Sequence, residues 1–248
     1  MRVTLLQTDI KWNNPQENLL RAEQMIGSAE VSDLYVLPEM FATGFMPDGN
    51  DTIRYDNILE WMKRVARERD AAITGSVAVR TEDGNWRNRM YFAKPDGTVV
   101  YYDKRHLFTY GGEDQHYTAG EEPVITEWRG VRIMLQVCYD LRFPCFSRNK
   151  APFYDLCIYV ASWPQSRRMV WDTLLRARAL ENQCYVIGVN RVGDDPSCHY
   201  DGGSTVISPY GKSITTAEDD KEDIITAVLD MDSLMRFREK FPVLKDAD

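Results

Sequence analysis

The sequence predicts an α/β fold in which mixed β-sheets are covered by helices. In the first third of the chain, segments with the apolar pattern of strands alternate with segments of helical spacing. Further apolar strand patterns follow, and two pairs of β-prone runs flank turns that begin with proline and end with glycine. The chain has 248 residues, enough to bury a large core, and no repeat or linker-like stretch divides it. We therefore expect a single domain over 1–248.

The first half is predicted to alternate strands and helices before it turns into a hairpin. Asn14, Pro15 and Glu17 have the residue types of a helix start, because asparagine caps free N–H groups and proline suits the first turn. The predicted elements are, in order, a strand at 3–8, a helix from Asn14, a strand at 34–37, a helix around 58–66, a strand at 73–79 and a hairpin at 89–102.

The second half is predicted to continue with buried strands, one long helix and a second hairpin. The acidic stretch 218–223 is interpreted as a solvated turn. The predicted elements are strands at 131–137, 156–161 and 185–189, a helix at about 166–182, a hairpin of 205–207 with 214–216, a strand at 224–229, and a C-terminal helix with its tail at 231–248.

The net charge and the cysteine pattern limit the kinds of binding partner and the cellular compartment that we expect for the protein. The chain carries 38 acidic and 30 basic residues, a formal net charge of -8, so its field repels nucleic acid and anionic membranes. Its five cysteines are odd in number and contain no C-x-x-C pair, which argues against a disulfide framework and a structural zinc site. No apolar run approaches the roughly 18 residues of a membrane span, and the N-terminal one is too short for a signal peptide. These features predict a cytoplasmic protein.

Three residues at predicted strand ends could perform chemistry together. Cys138 directly follows the strand at 131–137, at the edge where open α/β sheets bind ligands. A free thiol is only a few per cent ionised at neutral pH, so a nucleophilic cysteine needs a base or a cation nearby. Glu39 and Lys104 each follow a predicted strand and could supply them. Taken singly, each charged residue also fits a solvated strand edge, and Cys138 also fits a small buried side chain.

The segments that contain these residues resemble a known family. LPEMFATGF, DKRHLF and VCYDLRFP, in that order, resemble the three motif blocks of the nitrilase superfamily of carbon-nitrogen hydrolases, and SWPQSRRMVW, RARALENQCYV and GGSTVISPYGK extend the resemblance over about 3–229. The resemblance implies a catalytic triad of Glu39, Lys104 and Cys138, and matches the family's further glutamate to Glu113. Glu113 then orients the lysine or the substrate amide, or is an ordinary loop carboxylate.

The resemblance also implies a fold and a mechanism. The fold is a four-layer α-β-β-α sandwich, commonly paired into a homodimer. Glu39 removes the thiol proton, Cys138 attacks an amide carbonyl, and Lys104 with the backbone N–H of Tyr139 holds the oxyanion. Water then hydrolyses the thioester, so neither a cofactor nor a metal is required.

Within the superfamily, these blocks are most similar to bacterial ω-amidases, which deamidate 2-oxoglutaramate and 2-oxosuccinamate. Such a substrate carries a carboxylate remote from the amide, and Arg142 and Arg167 are the candidate cations for it. Arg142 could instead brace the turn by pairing with an acidic side chain. Trp163, Phe41 and Tyr117 are expected to wall the pocket.

Other functions share parts of this pattern. Nitrilases and carbamoylases have the same triad, so the triad does not select the substrate. A catalytically inactive family member could act as a binding or scaffold protein. A metal hydrolase is disfavoured because no H-E-x-x-H motif occurs.

Overall fold

Two six-stranded β-sheets face each other in the computed structural model, which describes residues 1–46 and 55–246. The strands of the first sheet, in spatial order, are β14 (Asp223–Val228), β1 (Arg2–Gln7), β2 (Leu34–Val36), β3 (Ala72–Arg80), β4 (Trp86–Ala93) and β5 (Val99–Asp103). Those of the second sheet are β13 (Ser213–Thr216), β12 (Thr205–Ile207), β9 (Tyr185–Asn190), β8 (Leu156–Ala161), β7 (Val131–Val137) and β6 (Val124–Trp128). A separate hairpin consists of β10 (Val192–Asp194) and β11 (His199–Asp201).

Each sheet has three parallel strands at its centre and antiparallel strands at its edges. In the first sheet β1, β2 and β3 are parallel, and in the second β7, β8 and β9 are parallel. Parallel neighbours end at the same edge of a sheet. The segments that follow β2, β7 and β8 can therefore bring side chains from both sheets to one place.

The core lies in three apolar layers. The largest lies between the sheets, where side chains such as Leu5 and Val36 of the first sheet pack with Ile133 and Ile158 of the second. Helices α1 (Pro15–Ser28) and α2 (Tyr55–Arg69) cover the outer face of the first sheet, and α3 (Arg168–Asn182) covers that of the second. The architecture is the α-β-β-α sandwich, which confirms the predicted fold class.

Local sequence explains where several elements begin. Asn14 caps α1, with its side chain accepting a hydrogen bond from the Glu17 N–H and Pro15 in the first turn, as predicted. The helix predicted from residue 166 begins as a short 3-10 turn, and α3 itself starts at Arg168. Strand β6 was not predicted. It joins β7 through Arg129 and Gly130, both at positive φ, and arginine is not a typical residue for such a turn.

The C-terminal segment packs on the body of the protein. Helix α4 (Met231–Lys240) buries Leu234, and Arg238 forms an ion pair of 2.8 Å with Asp155 and donates to the Gln183 carbonyl. The helix is thus held against the second sheet. None of the helices in the described ranges combines the length and apolar composition that a membrane crossing needs.

Candidate active site

The two sheets bring the three predicted strand-end residues to one cavity of about 780 Å³. Glu39 comes three residues after β2 and Lys104 directly after β5, so both belong to the first sheet. Cys138 follows β7 of the second sheet, and it lines the same cavity as Glu39 and Lys104. The predicted convergence of a carboxylate, an ammonium and a thiol is therefore present in the structure.

Lys104 lies between two buried carboxylates. Its Nζ is 2.9 Å from Glu39 Oε1 and 2.8 Å from Glu113 Oε2, and all three side chains are fully buried. Burial disfavours the ammonium, but the charges of Glu113 and Glu39 outweigh it and raise the pKa of Lys104 well above its usual value. Lys104 therefore stays protonated throughout the physiological range.

Glu113 holds the lysine from the side opposite Glu39. It begins a short 3-10 helix after Gly112, which has a positive φ of 76°. Its Oε2 accepts a 2.7 Å hydrogen bond from the Phe108 N–H as well as the bond from Lys104. Burial raises the pKa of Glu113, although the Lys104 charge opposes that shift. Glu113 is thus a fully buried hydrogen-bond partner of Lys104.

The thiol of Cys138 is kept neutral in the resting protein. Burial and the negative charge of Glu39 raise the pKa of Cys138 well above its usual value, against the opposing charge of Lys104. The Sγ atom lies 3.9 Å from the Ser162 carbonyl oxygen. Because the thiolate is disfavoured, attack on a substrate requires a base that takes the proton as the new bond forms.

The turn that carries Cys138 is held in an uncommon backbone conformation. Cys138 has a φ of 45° and begins a 3-10 helix, Cys138–Arg142. Asp140 fixes this turn, since its Oδ2 accepts bonds from the Val137 N–H and the Tyr102 hydroxyl and its Oδ1 accepts from the His106 N–H. Asp140 thereby ties the Cys138 turn to the segment that follows Lys104.

Tyr139 and Arg178 both belong to the surroundings of the Cys138 turn. Tyr139 lines the cavity next to Cys138, in the first turn of the 3-10 helix, where backbone N–H groups lack an intrahelical acceptor. Arg178 supports the same helix from α3, with Nη2 donating to the Leu141 carbonyl at 2.5 Å and Nη1 paired with Glu181 at 2.8 Å.

Arg142, Arg167 and Trp163 line the cavity, as predicted. The Arg142 guanidinium lies 5.3 Å from the centre of the Trp163 ring, and that of Arg167 lies 5.4 Å from the centre of the Phe108 ring. Across 1–46 and 55–246, neither guanidinium has an acidic partner within ion-pair distance, so Arg142 does not brace the turn in the way considered above. Both leave a positive charge on the cavity wall.

Phe41 and Tyr117, predicted to wall the pocket, lie outside the cavity lining. Phe41 turns toward α2, where its ring is 5.8 Å from that of Trp61 and packs over Gly75, at which a side chain would collide with it. The Tyr117 hydroxyl donates to the Met46 carbonyl at 2.8 Å, and its ring packs near Trp86. Both residues belong to the core of the first sheet, and the prediction that they contact substrate is corrected accordingly.

Residues that sequence patterns did not indicate complete the site. Asn88 of β4 donates from Nδ2 to Glu39 and Glu113, and the Ser162 N–H donates to Glu39 Oε2 at 2.9 Å. The outer cavity is lined by side chains from distant parts of the chain, among them Trp12, Phe45, Tyr110, Cys198 and Tyr200. Within the described ranges, no group of three acidic, histidine or cysteine side chains could hold a metal ion.

The known proteins that resemble this chain in sequence and in structure are carbon-nitrogen hydrolases. A sequence model of the carbon-nitrogen hydrolase family matches residues 2–239. The omega-amidase YafV of Escherichia coli K12 is 47% identical over 250 residues, covering 100% of this chain and 97% of that protein. A 2-oxoglutaramate amidase of Bacillus subtilis is 34% identical, covering 98% and 96%. Among solved structures, a CN-hydrolase superfamily protein of Xanthomonas campestris with an arsenic adduct in its active site has a TM-score of 0.95 and 41% identity, covering 100% and 97%.

Proposed function

Because the chain belongs to the carbon-nitrogen hydrolase family, we propose that it is an ω-amidase. The substrate is a small amide that bears a carboxylate, such as 2-oxoglutaramate or 2-oxosuccinamate, and the products are the acid and ammonia. The observation that carries the proposal is one cavity in which the buried Glu39 and Lys104 and the partly buried Cys138 meet two guanidinium groups that have no acidic partner among the described residues. Similarity to an omega-amidase and to a 2-oxoglutaramate amidase supports it.

The first half-reaction transfers the acyl group to the enzyme. As the Cys138 sulfur bonds to the amide carbon, its proton passes to Glu39, and the carbonyl oxygen becomes an oxyanion. Lys104 and the Tyr139 N–H donate to that oxyanion, and such preorganised donors contribute about 2.7–4 kcal/mol each. The intermediate collapses by breaking the carbon–nitrogen bond, and Glu39 gives its proton to the departing ammonia.

The second half-reaction returns the enzyme to its starting state. Glu39, again a carboxylate, removes a proton from water, whose oxygen attacks the thioester carbon. The carbon–sulfur bond then breaks, the acid is released, and the proton on Glu39 passes to the Cys138 sulfur. The raised pKa of Cys138 fits this sequence, because the resting cysteine is a thiol that needs Glu39 in both directions.

Arg142 and Arg167 supply the charge that selects the substrate. A guanidinium on the cavity wall that has no acidic partner in 1–46 and 55–246 is available to bind a carboxylate through two parallel hydrogen bonds. Such a grip fixes the distance between the carboxylate and the amide, so only chains of suitable length bring the carbonyl to Cys138. Trp163, stacked under Arg142, keeps that guanidinium oriented toward the cavity.

An ammonia-release panel tests the proposal. Wild type, Arg142→Ala and Arg167→Ala would be assayed with 2-oxoglutaramate, glutamine, asparagine, N-carbamoyl amino acids, simple nitriles and a neutral amide. We expect 2-oxoglutaramate to give the highest kcat/KM, and the gripping arginine to matter for carboxylate-bearing amides while neutral amides change little. Preference for nitriles or N-carbamoyl amino acids would overturn the substrate class, and equal losses for charged and neutral amides would make both arginines structural.

We further propose that the enzyme is a cytoplasmic homodimer. All five cysteines are free, which supports a reducing compartment. The outer face of the second sheet exposes Met169 and Leu180 on α3, with Tyr210 and Phe241 nearby in the same half of the molecule. Pairing of α3 with its copy would cover apolar side chains and continue the layered sandwich.

A further inference from the structure

Asn88 donates to the same two buried carboxylates that Lys104 contacts. It belongs to β4, is 1% exposed, and its backbone carbonyl accepts a 2.9 Å bond from the Lys104 N–H. Its Nδ2 donates to Glu39 Oε1 at 2.8 Å and to Glu113 Oε1 at 3.0 Å. Both neighbours are acceptors, so only the NH₂ group of the amide can face them.

Asn88 and Lys104 together close a hydrogen-bonded ring around the carboxylates. Lys104 bonds Glu39 Oε1 and Glu113 Oε2, while Asn88 bonds Oε1 of each carboxylate. The ring restricts rotation of the Glu39 carboxylate about its terminal carbon–carbon bond, because both donors bind the same oxygen, Oε1. Neither donor can be lost without leaving a buried acceptor short of a partner.

The two oxygens of Glu39 differ in what they can still accept. Oε1 receives Lys104 and Asn88, which occupy both of its lone pairs, whereas Oε2 receives only the Ser162 N–H within the described part of the chain. Ser162 also lies beside the nucleophile, since its carbonyl oxygen is 3.9 Å from the Cys138 sulfur. Ser162 therefore connects the oxygen that has a remaining lone pair with the surroundings of the nucleophile.

We infer that Asn88 is a positioning residue that makes Oε2 of Glu39 the atom that accepts the Cys138 proton. The inference rests on the proposed function for the role of Glu39 as base. Without the amide donor, Oε1 regains a lone pair that competes with Oε2 for the proton, and the carboxylate gains freedom to rotate. Proton transfer then has a second, unproductive destination, although Lys104, Glu113 and the substrate cavity are unchanged.

The test combines turnover with a reaction that needs no substrate. Iodoacetamide alkylates Cys138 by forming a sulfur–carbon bond as iodide leaves and the thiol proton passes to Glu39; intact mass and peptide mapping follow the rate at that residue. Asn88→Ala should lower kcat and the alkylation rate by about ten- to a hundredfold, the scale of a misplaced catalytic group. KM should change by less than about threefold, because no substrate contact is lost. Asn88→Ser, which keeps one donor, should recover part of both rates.

Asn149 provides a matched control. It is fully buried, and its Nδ2 also donates twice, but to the backbone carbonyls of Tyr154 and Asn182 rather than to a site carboxylate. Asn149→Ala should lower the melting temperature and leave the alkylation rate of Cys138 at the wild-type value. A purely structural role for Asn88 predicts the same behaviour for Asn88→Ala, with stability reduced and both rates intact.

Wild-type alkylation of Cys138 in Asn88→Ala would overturn the inference. If that variant does not fold, Asn88→Ser decides, because its alkylation rate must lie between that of wild type and that of Glu39→Gln. Failure of the proposed function gives a different result: wild type then releases no ammonia from 2-oxoglutaramate, while the alkylation comparison still reports on Asn88.

Discussion

Replacing Lys104 with methionine should damage stability as well as activity. The ammonium lies between Glu39 and Glu113, and none of these side chains reaches solvent. Methionine keeps most of the length of the side chain and removes the charge. The substitution therefore leaves two buried carboxylates close to each other without the cation that separates them, and it removes an oxyanion donor at the same time.

The contact distances set the size of the effect. Lys104 Nζ is 2.9 Å from one carboxylate and 2.8 Å from the other. At an effective dielectric constant of about 20, each contact is worth about 6 kcal/mol, and desolvation of the three groups offsets most of it. Removing one partner of a buried pair costs about 3–5 kcal/mol. For a chain of this length, that lowers the melting temperature by about 6–20 °C.

The stability loss should depend on pH in a defined direction. Burial raises the pKa of Glu113, and the Lys104 charge opposes that rise, so the pKa rises further in Lys104→Met. A carboxyl group with a higher pKa in the folded state binds more protons there, and stability falls as pH rises through that folded pKa. The difference in melting temperature between wild type and Lys104→Met should thus be larger at pH 8 than at pH 5.

Thermal unfolding followed by circular dichroism and ammonia release would measure both effects. Glu39→Gln is the matched comparison, because it leaves Lys104 paired with Glu113 and should therefore lose less stability than Lys104→Met, while kcat falls by about 10²–10⁴. Lys104→Met should lose at least about a hundredfold in kcat, and Lys104→Arg should recover little, since a planar guanidinium cannot replace a compact ammonium. Equal melting temperatures of wild type and Lys104→Met at pH 8 would refute this reasoning.

Two further predictions concern the nucleophile and the dimer. Cys138→Ala should abolish hydrolysis without unfolding the protein, and rapid quenching with intact-mass measurement should show an acyl adduct in wild type but none in Cys138→Ala; an adduct in both would reject the assignment. Met169→Glu and Leu180→Glu should shift the protein from dimer to monomer in size-exclusion chromatography with light scattering. Val31→Glu, at a position 81% exposed outside α3, is the control and should remain dimeric.

Strand positions and the main site residues could be predicted because their signals are local. Strand β8 is buried along its length and β7 at every position except Arg132, so both appear as largely apolar runs, and their observed limits equal the predicted ones. Polar residues begin directly after each run, and this change of composition predicted that Cys138 lies at the edge of a sheet. The four-layer arrangement needed the family resemblance, because periodicity does not reveal which sheet faces which.

Contacts between distant segments could not be predicted from local patterns. Asn88 lies within a strand with no motif around it, and it reaches Glu39 only because β4 and the segment after β2 belong to the same sheet. Ser162 reaches Glu39 from the opposite sheet. Phe41 shows the converse error: it is two residues from Glu39 in sequence, but its side chain turns toward α2 and leaves the cavity.

The proposed mechanism explains why two carboxylates, Glu39 and Glu113, contact the single ammonium of Lys104. When Glu39 accepts the Cys138 proton, it becomes neutral and no longer compensates the charge of Lys104. Glu113 keeps its 2.8 Å contact with the ammonium through that step, so the buried cation is never left without a counter-charge. Without Glu113, the ammonium would have only the transient oxyanion as a counter-charge while Glu39 is protonated, and the weaker compensation would add to the barrier. A second carboxylate that takes no part in proton transfer therefore lets Glu39 change its protonation state while Lys104 remains charged and in place.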